Sequence, residues 1–75
     1  MDEGFILANK FRRAIFDELV SGETNIKRIT KKNRMIPRVA QRIIDEFVIG
    51  GIVEKKGNMY MFTAEGKKLV ETIGK

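Results

Sequence analysis

The first twenty residues place apolar side chains at helical spacing. This pattern predicts a helix from about Phe5 to Ser21, ended by Gly22. The apolar stripe and its flanks consist of Leu7, Ala8, Phe11, Ala14, Ile15, Phe16, Leu19 and Val20. Because these positions span more than half of the circumference, we expect the helix to contact two surfaces. The second surface is either the C-terminal helix or another copy of the chain.

Two shorter helices follow. One is predicted from Ile26 to Lys32 with Thr24 or Asn25 as its N-cap, and the next runs from Pro37 to about Ile49. Between them, Asn33 and Arg34 are predicted to form a tight turn against which Met35 packs. Gly50–Gly51 is predicted to end the third helix. The inward residues are predicted to be Ile26, Ile29 and Thr30 in the second helix, and Ile36, Ala40, Ile43, Ile44 and Phe47 in the third.

The apolar period then changes from helical to alternating. Ile52 to Lys56 and Met59 to Thr63 are predicted to be two strands joined by a turn at Gly57–Asn58. Tyr60 and Phe62 share one face of the second strand, and Met59 and Met61 share the other. Thr63 caps a last helix that runs from Ala64 to about Ile73, in which Gly66 is expected to permit a close approach to the hairpin. The predicted fold class is α+β and mostly helical, in the order α-α-α-β-β-α.

Length and composition narrow the possibilities. The 75 residues suffice for one domain, 1–75, and the chain has no cysteine and no histidine. Disulfides, imidazole catalysis and most zinc sites are therefore excluded, and we expect no cofactor. The adjacent acidic residues Asp17–Glu18 and Asp45–Glu46 project about 100° apart on helices, so neither pair converges on a substrate. We therefore expect that the protein is not an enzyme.

The net charge of +5 comes from one stretch of the chain. Between Thr24 and Ile44 there is no acidic residue, whereas seven are basic: Lys27, Arg28, Lys31, Lys32, Arg34, Arg38 and Arg42. A solvated helix face normally mixes charges of both signs, because pairs four residues apart stabilise helices. Seven like charges repel one another unless a polyanion offsets the repulsion. A nucleic acid is the leading explanation, ahead of an acidic protein or an anionic membrane.

A short helix, a tight turn, a second helix and a hairpin resemble the winged helix-turn-helix transcriptional regulators of archaea and bacteria, of the MarR-like and related types. The segment Ile44 to Lys56 (IDEFVIGGIVEKK) is similar to that family's helix end and first wing strand. The segment Tyr60 to Gly66 (YMFTAEG) is similar to the family's passage from the wing to the final helix. Family members commonly have a glycine where Arg34 stands, and a serine or threonine cap where Ile36 stands.

The resemblance implies roles for individual residues in binding double-stranded DNA. It places Pro37, Arg38, Gln41, Arg42 and Asp45 on the exposed face of the recognition helix. Of these we expect Arg38, Gln41 and Arg42 to read base edges, because Arg pairs bidentately with guanine and Gln with adenine. Asp45 either accepts a hydrogen bond from cytosine or repels phosphate. The expected contacts to the DNA backbone are made by Lys27, Arg28, Lys31, Lys32, Arg34, Lys55 and Lys56.

Taken together, these features predict a DNA-binding transcriptional regulator. We expect it to act as a homodimer through the first and last helices, in the cytoplasm with the nucleoid, and without a membrane partner. The alternative is a winged helix that serves as a protein-interaction module in a transcription or replication assembly. Binding of RNA or single strands is less favoured, because the phenylalanines mostly take core positions rather than exposed stacking positions.

Overall fold

Residues 2–73, which are the part described by the computed structural model, form a mixed α+β arrangement in which an antiparallel hairpin follows four helical segments. The elements are α1 (Glu3–Leu7), α2 (Lys10–Val20), α3 (Ile26–Lys32), α4 (Pro37–Ile49), β1 (Val53–Lys56), β2 (Met59–Phe62) and α5 (Ala64–Ile73). The boundaries predicted for α3, α4 and α5 are confirmed, as is the hairpin with its turn at Gly57–Asn58.

The predicted single helix from Phe5 to Ser21 is wrong, because the chain breaks after Leu7 and starts a new helix at Lys10. Asn9 has an extended backbone, and its side-chain oxygen accepts hydrogen bonds from the N–H groups of Phe11 (2.8 Å) and Arg12 (3.2 Å). An asparagine in this position is a strong N-cap, so it begins α2 rather than continuing α1. The order of elements therefore has one helix more than predicted.

Arg12 holds the separated first segment in place. Its Nη1 donates to the Phe5 carbonyl oxygen at 3.3 Å, and its guanidinium carbon lies 3.8 Å from the centroid of the Phe5 ring. Its Nε also lies 3.8 Å from a carboxylate oxygen of Glu46 on α4. One side chain thus joins α1, α2 and α4, and the short α1 contributes the completely buried Ile6 to the core.

Because the predicted helix is broken, only some residues of its apolar stripe face the core. Ile15, Phe16 and Leu19 of α2 are buried in the core, whereas Leu7, Ala8, Phe11 and Val20 are exposed. Helix α2 packs against α4 and β2, and α1 packs against the C-terminal helix α5. The expectation of two contact surfaces is thus met by two separate helices.

The connection from α3 to α4 has the predicted form, with one correction. Asn25 caps α3 through its side-chain oxygen, Arg34 takes a left-handed conformation (φ +53°), and Met35 is buried below the turn. The expectation that Ile36 faces inward is wrong, because its side chain is 66% exposed. Ile36 is the extended N-cap residue before Pro37, so its side chain does not follow the helical stripe.

The hairpin packs its Tyr60–Phe62 face against the helices, whereas Met59 and Met61 on the opposite face of β2 are exposed. Strand β1 pairs antiparallel with β2, with Val53 opposite Phe62 and Lys56 opposite Met59. The rings of Phe16 and Phe62 lie 5.3 Å apart, and the Tyr60 N–H donates to the carbonyl of Thr24 at 3.1 Å. These contacts attach β2 to α2 and to the loop before α3, so the hairpin has a defined position beside α3 and α4.

Gly66 permits the close approach of α5 to the hairpin that was expected from the sequence. It is buried in the first turn of α5, where its N–H donates to the capping hydroxyl of Thr63 at 3.1 Å. A Cβ atom at this position would collide with the carbonyl oxygen of Ile52 and would come within 2.9 Å of the Phe62 ring. The absence of a side chain is therefore what allows α5 to pack on the hairpin.

We predict that Gly66→Ala lowers the free energy of unfolding by about 2 kcal/mol, because the backbone of Ile52 has to move to admit the methyl group. Helix propensity alone predicts the opposite, a gain of about 1 kcal/mol. Gly4→Ala is the control, since the added Cβ would only make an ordinary 3.5 Å contact with Asp2. Urea denaturation measures both variants, and equal effects in the two would contradict the packing argument.

Candidate nucleic-acid interface

A groove of about 740 Å³ runs between α3 and the N-terminal half of α4. Its floor is apolar, with Ile26 and Met35 among the lining residues. Lys27 and Lys31 border it from α3, and Arg38 borders it from α4. The two lysines are four residues apart, which places them on the same side of α3 and brings them next to the exposed side of α4.

A second, more polar depression of about 280 Å³ lies between α3, α4 and the hairpin. It shares Lys27 and Gln41 with the first groove and adds Lys55 and Tyr60 from the two strands, together with Asn25 and Asn58. The hairpin is therefore adjacent to both helices. Its cation at Lys55 borders the same depression as Lys27 of α3.

A third depression follows the exposed side of α4. Its lining includes Arg38, Gln41, Arg42 and Asp45, and it extends to Ile49 at the end of the helix. Because Gln41 lines all three depressions, they form one continuous surface. We name this surface the basic face and define it by the six residues Lys27, Lys31, Arg38, Gln41, Arg42 and Lys55.

Most cations of the basic segment have no carboxylate partner. Within residues 2–73, Lys32 is the only one of the seven basic residues between Thr24 and Ile44 that forms an ion pair. The six others are Lys27, Arg28, Lys31, Arg34, Arg38 and Arg42, and all six are exposed. Their positive charge is uncompensated at the surface, which favours an external anion.

Lys32 has a different environment from its neighbours. Its Nζ lies 3.2 Å from Oε1 of Glu18, whose side chain is only 11% exposed. Asn33 donates to the other oxygen of the same carboxylate at 2.8 Å. Lys32 lies on the flank of α3 that faces α2, so it ties these two helices together instead of joining the basic face.

Three other predicted backbone contacts also lie outside the basic face. Arg28 and Arg34 are exposed but are not among the residues that line its three depressions. Lys56 lies 3.3 Å from the Glu54 carboxylate on its own strand. Of the seven residues predicted to contact a DNA backbone, the structure thus brings together Lys27, Lys31 and Lys55.

All three predicted base-reading residues lie on the basic face, but Gln41 is engaged within the protein. Its Nε2 donates to Oδ1 of Asp45 at 2.8 Å and to the Tyr60 hydroxyl at 3.3 Å. Sequence reasoning did not anticipate the Tyr60 contact. A glutamine four residues before an aspartate on one helix is a known favourable pair, so the Asp45 contact had a detectable signal.

Within residues 2–73, no group of three or more acidic side chains is placed to hold a metal ion. None of the helices in this range has the length and the apolar character needed to cross a bilayer. Comparison with known proteins finds no matching family model, no matching curated protein and no matching solved structure.

The environment of Lys32 leads to a stability prediction. Lys32→Met should lower the free energy of unfolding by about 1 kcal/mol, because it leaves the nearly buried Glu18 carboxylate with one fewer charged hydrogen-bond donor. Lys31→Met, one residue away and unpaired, should change it by less than about 0.5 kcal/mol. Urea denaturation compares the two variants. A loss of the same size in both would show that Lys32 has no special structural role.

Proposed function

We propose that this chain binds double-stranded DNA as a winged helix-turn-helix domain and acts as a transcriptional regulator. The observation that carries the proposal is the basic face, in which five cations without carboxylate partners in residues 2–73 surround one exposed helix side. A phosphodiester backbone is the polyanion whose spacing suits cations contributed by two helices and a hairpin.

Helix α4 is the candidate for the major groove. Its buried residues are Ala40, Ile43, Ile44 and Phe47, so Arg38 and Arg42 project from the opposite side. Its 13 residues extend about 20 Å, and a major groove about 12 Å wide admits an α-helix. Arg38 and Arg42 are separated by one helical turn, which suits contacts to nearby base pairs with guanine as the preferred partner.

The remaining cations suit contacts to the DNA backbone. Lys27 and Lys31 flank α4 from α3, where they reach phosphates beside the groove, and Lys55 extends the contact toward the adjacent backbone or minor groove. Lys56 is placed less favourably because it pairs with Glu54, and Lys32 because it pairs with Glu18. This division makes α4 the source of sequence preference and α3 the source of affinity.

Self-association is part of the proposal, since two-fold dimers place recognition helices in successive major grooves about 34 Å apart. Leu7 and Phe11 are exposed apolar residues on adjoining helical segments and offer a surface for a second copy. The apolar residues of α5, in contrast, pack against the core of their own chain. The dimer contact is therefore assigned to α1 and α2, with α5 at its edge. A cytoplasmic, nucleoid-associated location would follow from these roles.

A protein-interaction module is the second candidate. Ile49, at the end of the exposed side of α4, is 87% exposed, and Ile36 at the start of α4 is also largely exposed. Apolar residues at both ends of a recognition helix suit a protein partner better than a phosphate backbone. The two candidates differ in how binding responds to salt.

We predict that binding to a duplex weakens steeply as the salt concentration rises. Contact with about six to eight phosphates gives a log–log slope of roughly −5 to −7, because each neutralised phosphate releases condensed counterions. Fluorescence anisotropy with a labelled duplex across a salt series measures this slope. A flat response would contradict the DNA proposal and favour the protein-interaction module.

Single substitutions distinguish the residues proposed to read bases from those proposed to contact phosphates. Arg38→Ala should relax base preference at one or two positions by about 1–3 kcal/mol, whereas Lys31→Ala should weaken all sequences alike and reduce the salt slope by about one. Lys32→Ala is the matched control on the same helix, since this lysine is already paired with Glu18. If Lys31→Ala and Lys32→Ala reduced the salt slope equally, the assignment of Lys31 rather than Lys32 to the DNA backbone would be wrong.

We predict that the protein sediments as a dimer and that Phe11→Glu makes it monomeric, because the new carboxylate would be buried without a partner in the contact. Met61→Glu, at an equally exposed apolar position on the hairpin, should leave the dimer intact. Sedimentation equilibrium measures the mass of each. A monomeric wild-type protein would remove self-association from the proposal without affecting DNA binding.

A further inference from the structure

The side-chain amide of Gln41 lies at the centre of the basic face, and its polar atoms are used unequally. Within residues 2–73, its Nε2 donates to Asp45 (2.8 Å) and to the Tyr60 hydroxyl (3.3 Å), whereas its carbonyl oxygen forms no hydrogen bond. An amide nitrogen carries two hydrogens, so both are engaged. The oxygen is the one polar atom of this side chain left to meet a ligand.

The orientation of the amide follows from the chemistry of its partners. Asp45 is exposed and its ionised carboxylate only accepts hydrogen bonds, so the nitrogen of Gln41 and not its oxygen must face it. Tyr60 is 6% exposed and belongs to β2, whose backbone is fixed by pairing with β1 and by the bond to Thr24. The amide is therefore held from both sides, by its own helix and by the hairpin.

We infer that Gln41 reads DNA as a hydrogen-bond acceptor and selects bases that carry an amino group in the major groove, which are adenine and cytosine. The inference rests on the proposed function and names the base chemistry recognised by one of its residues. Adenine presents N6 and cytosine N4 as donors, whereas guanine O6 and thymine O4 are acceptors and would face the Gln41 oxygen unfavourably.

This assignment differs from the usual pairing of glutamine with adenine. A bidentate contact needs one amide hydrogen for adenine N7 as well as the oxygen for N6. In this structure both hydrogens are already donated within the protein. Asp45 and Tyr60 are thus positioning residues, which convert a side chain able to distinguish adenine into one that groups adenine with cytosine.

The test is selection of duplexes from a library with randomised positions, carried out with the full chain and with four variants. The wild-type protein should favour adenine or cytosine over guanine or thymine at one position by about three- to tenfold, as expected for one hydrogen bond. Gln41→Ala should remove the preference at that position and leave the positions read by Arg38 and Arg42 unchanged.

Asp45→Ala and Asp45→Asn form the decisive pair. Asp45→Ala frees one amide hydrogen, so adenine should gain over cytosine by about fivefold or more at the same position. Asp45→Asn retains an oxygen that accepts from Gln41, so the joint preference for adenine and cytosine should persist. Both variants lose a negative charge and should bind all duplexes more tightly. This effect is the same for every base, so it does not change the ratio between bases. Tyr60→Phe should shift the ratio as Asp45→Ala does, but less.

A measurement without DNA tests the two hydrogen bonds that Gln41 donates to Asp45 and Tyr60. In ¹⁵N-resolved NMR spectra of the free protein, Asp45→Ala and Tyr60→Phe should each shift one of the two Nε2 proton signals of Gln41, whereas Asp45→Asn, which keeps a weaker acceptor at the same place, should shift that signal less than Asp45→Ala does. Unshifted signals in both variants would overturn the inference.

Different results would overturn the proposed function and the role of Gln41. A wild-type protein that binds no duplex would overturn the proposed function and this inference with it. Salt-dependent binding without a position at which Gln41→Ala removes a joint preference for adenine and cytosine would overturn the inference alone. Identical base ratios for the wild-type protein and Asp45→Ala would do the same.

Discussion

The apolar side of α4 is the surface on which the other elements assemble. Ala40, Ile43, Ile44 and Phe47 are almost completely buried, and α2, α3 and β1 all pack against this helix. In a chain of 75 residues a single core must supply nearly all of the stability, because no disulfide contributes. Burial of one side of α4 therefore forces its other side, with Arg38 and Arg42, to face solvent.

The same constraint separates the charges of the chain. Glu18 is the nearly buried carboxylate of α2, and it takes Lys32 and Asn33 as partners on the flank of α3 that faces the core. Lys27 and Lys31 lie on the other flank, where residues 2–73 provide them with no acidic neighbour within ion-pairing distance. Repulsion between these cations costs stability. The cost is understandable if a polyanion binds there, which is the basis of the proposed function.

The hairpin connects the core to the basic face. Phe62 packs against Phe16 of the core, while Tyr60, its neighbour on the same face of β2, reaches Gln41 with its hydroxyl. A ring that is apolar on its sides and polar at its tip suits this boundary position. Through Tyr60, the position of the hairpin affects the side chain that we assign to base recognition, so the wing and α4 act as one recognition unit in the proposed function.

The sequence by itself determined the boundaries of α3, α4 and α5 and the position of the hairpin turn, because local signals there agree: Asn25 as a cap, Pro37 at a helix start, and the change of apolar period after Gly51. The two strands are each one residue shorter than predicted, since Ile52 and Thr63 lie outside them. It also located the uncompensated charge, since a run of basic residues without acidic neighbours is visible without coordinates. The break at Asn9 was missed because an apolar stripe continues across it, although a capping asparagine was there to be read.

Only the tertiary structure decided which cations share a face. Lys31 and Lys32 are adjacent and chemically identical, but they project about 100° apart, and Glu18 of another helix takes one of them. The hydrogen bond from Gln41 to Tyr60 likewise joins residues that are 19 positions apart in the chain. Contacts between distant residues arise from how the helices and the hairpin pack, and no local pattern in the sequence encodes them.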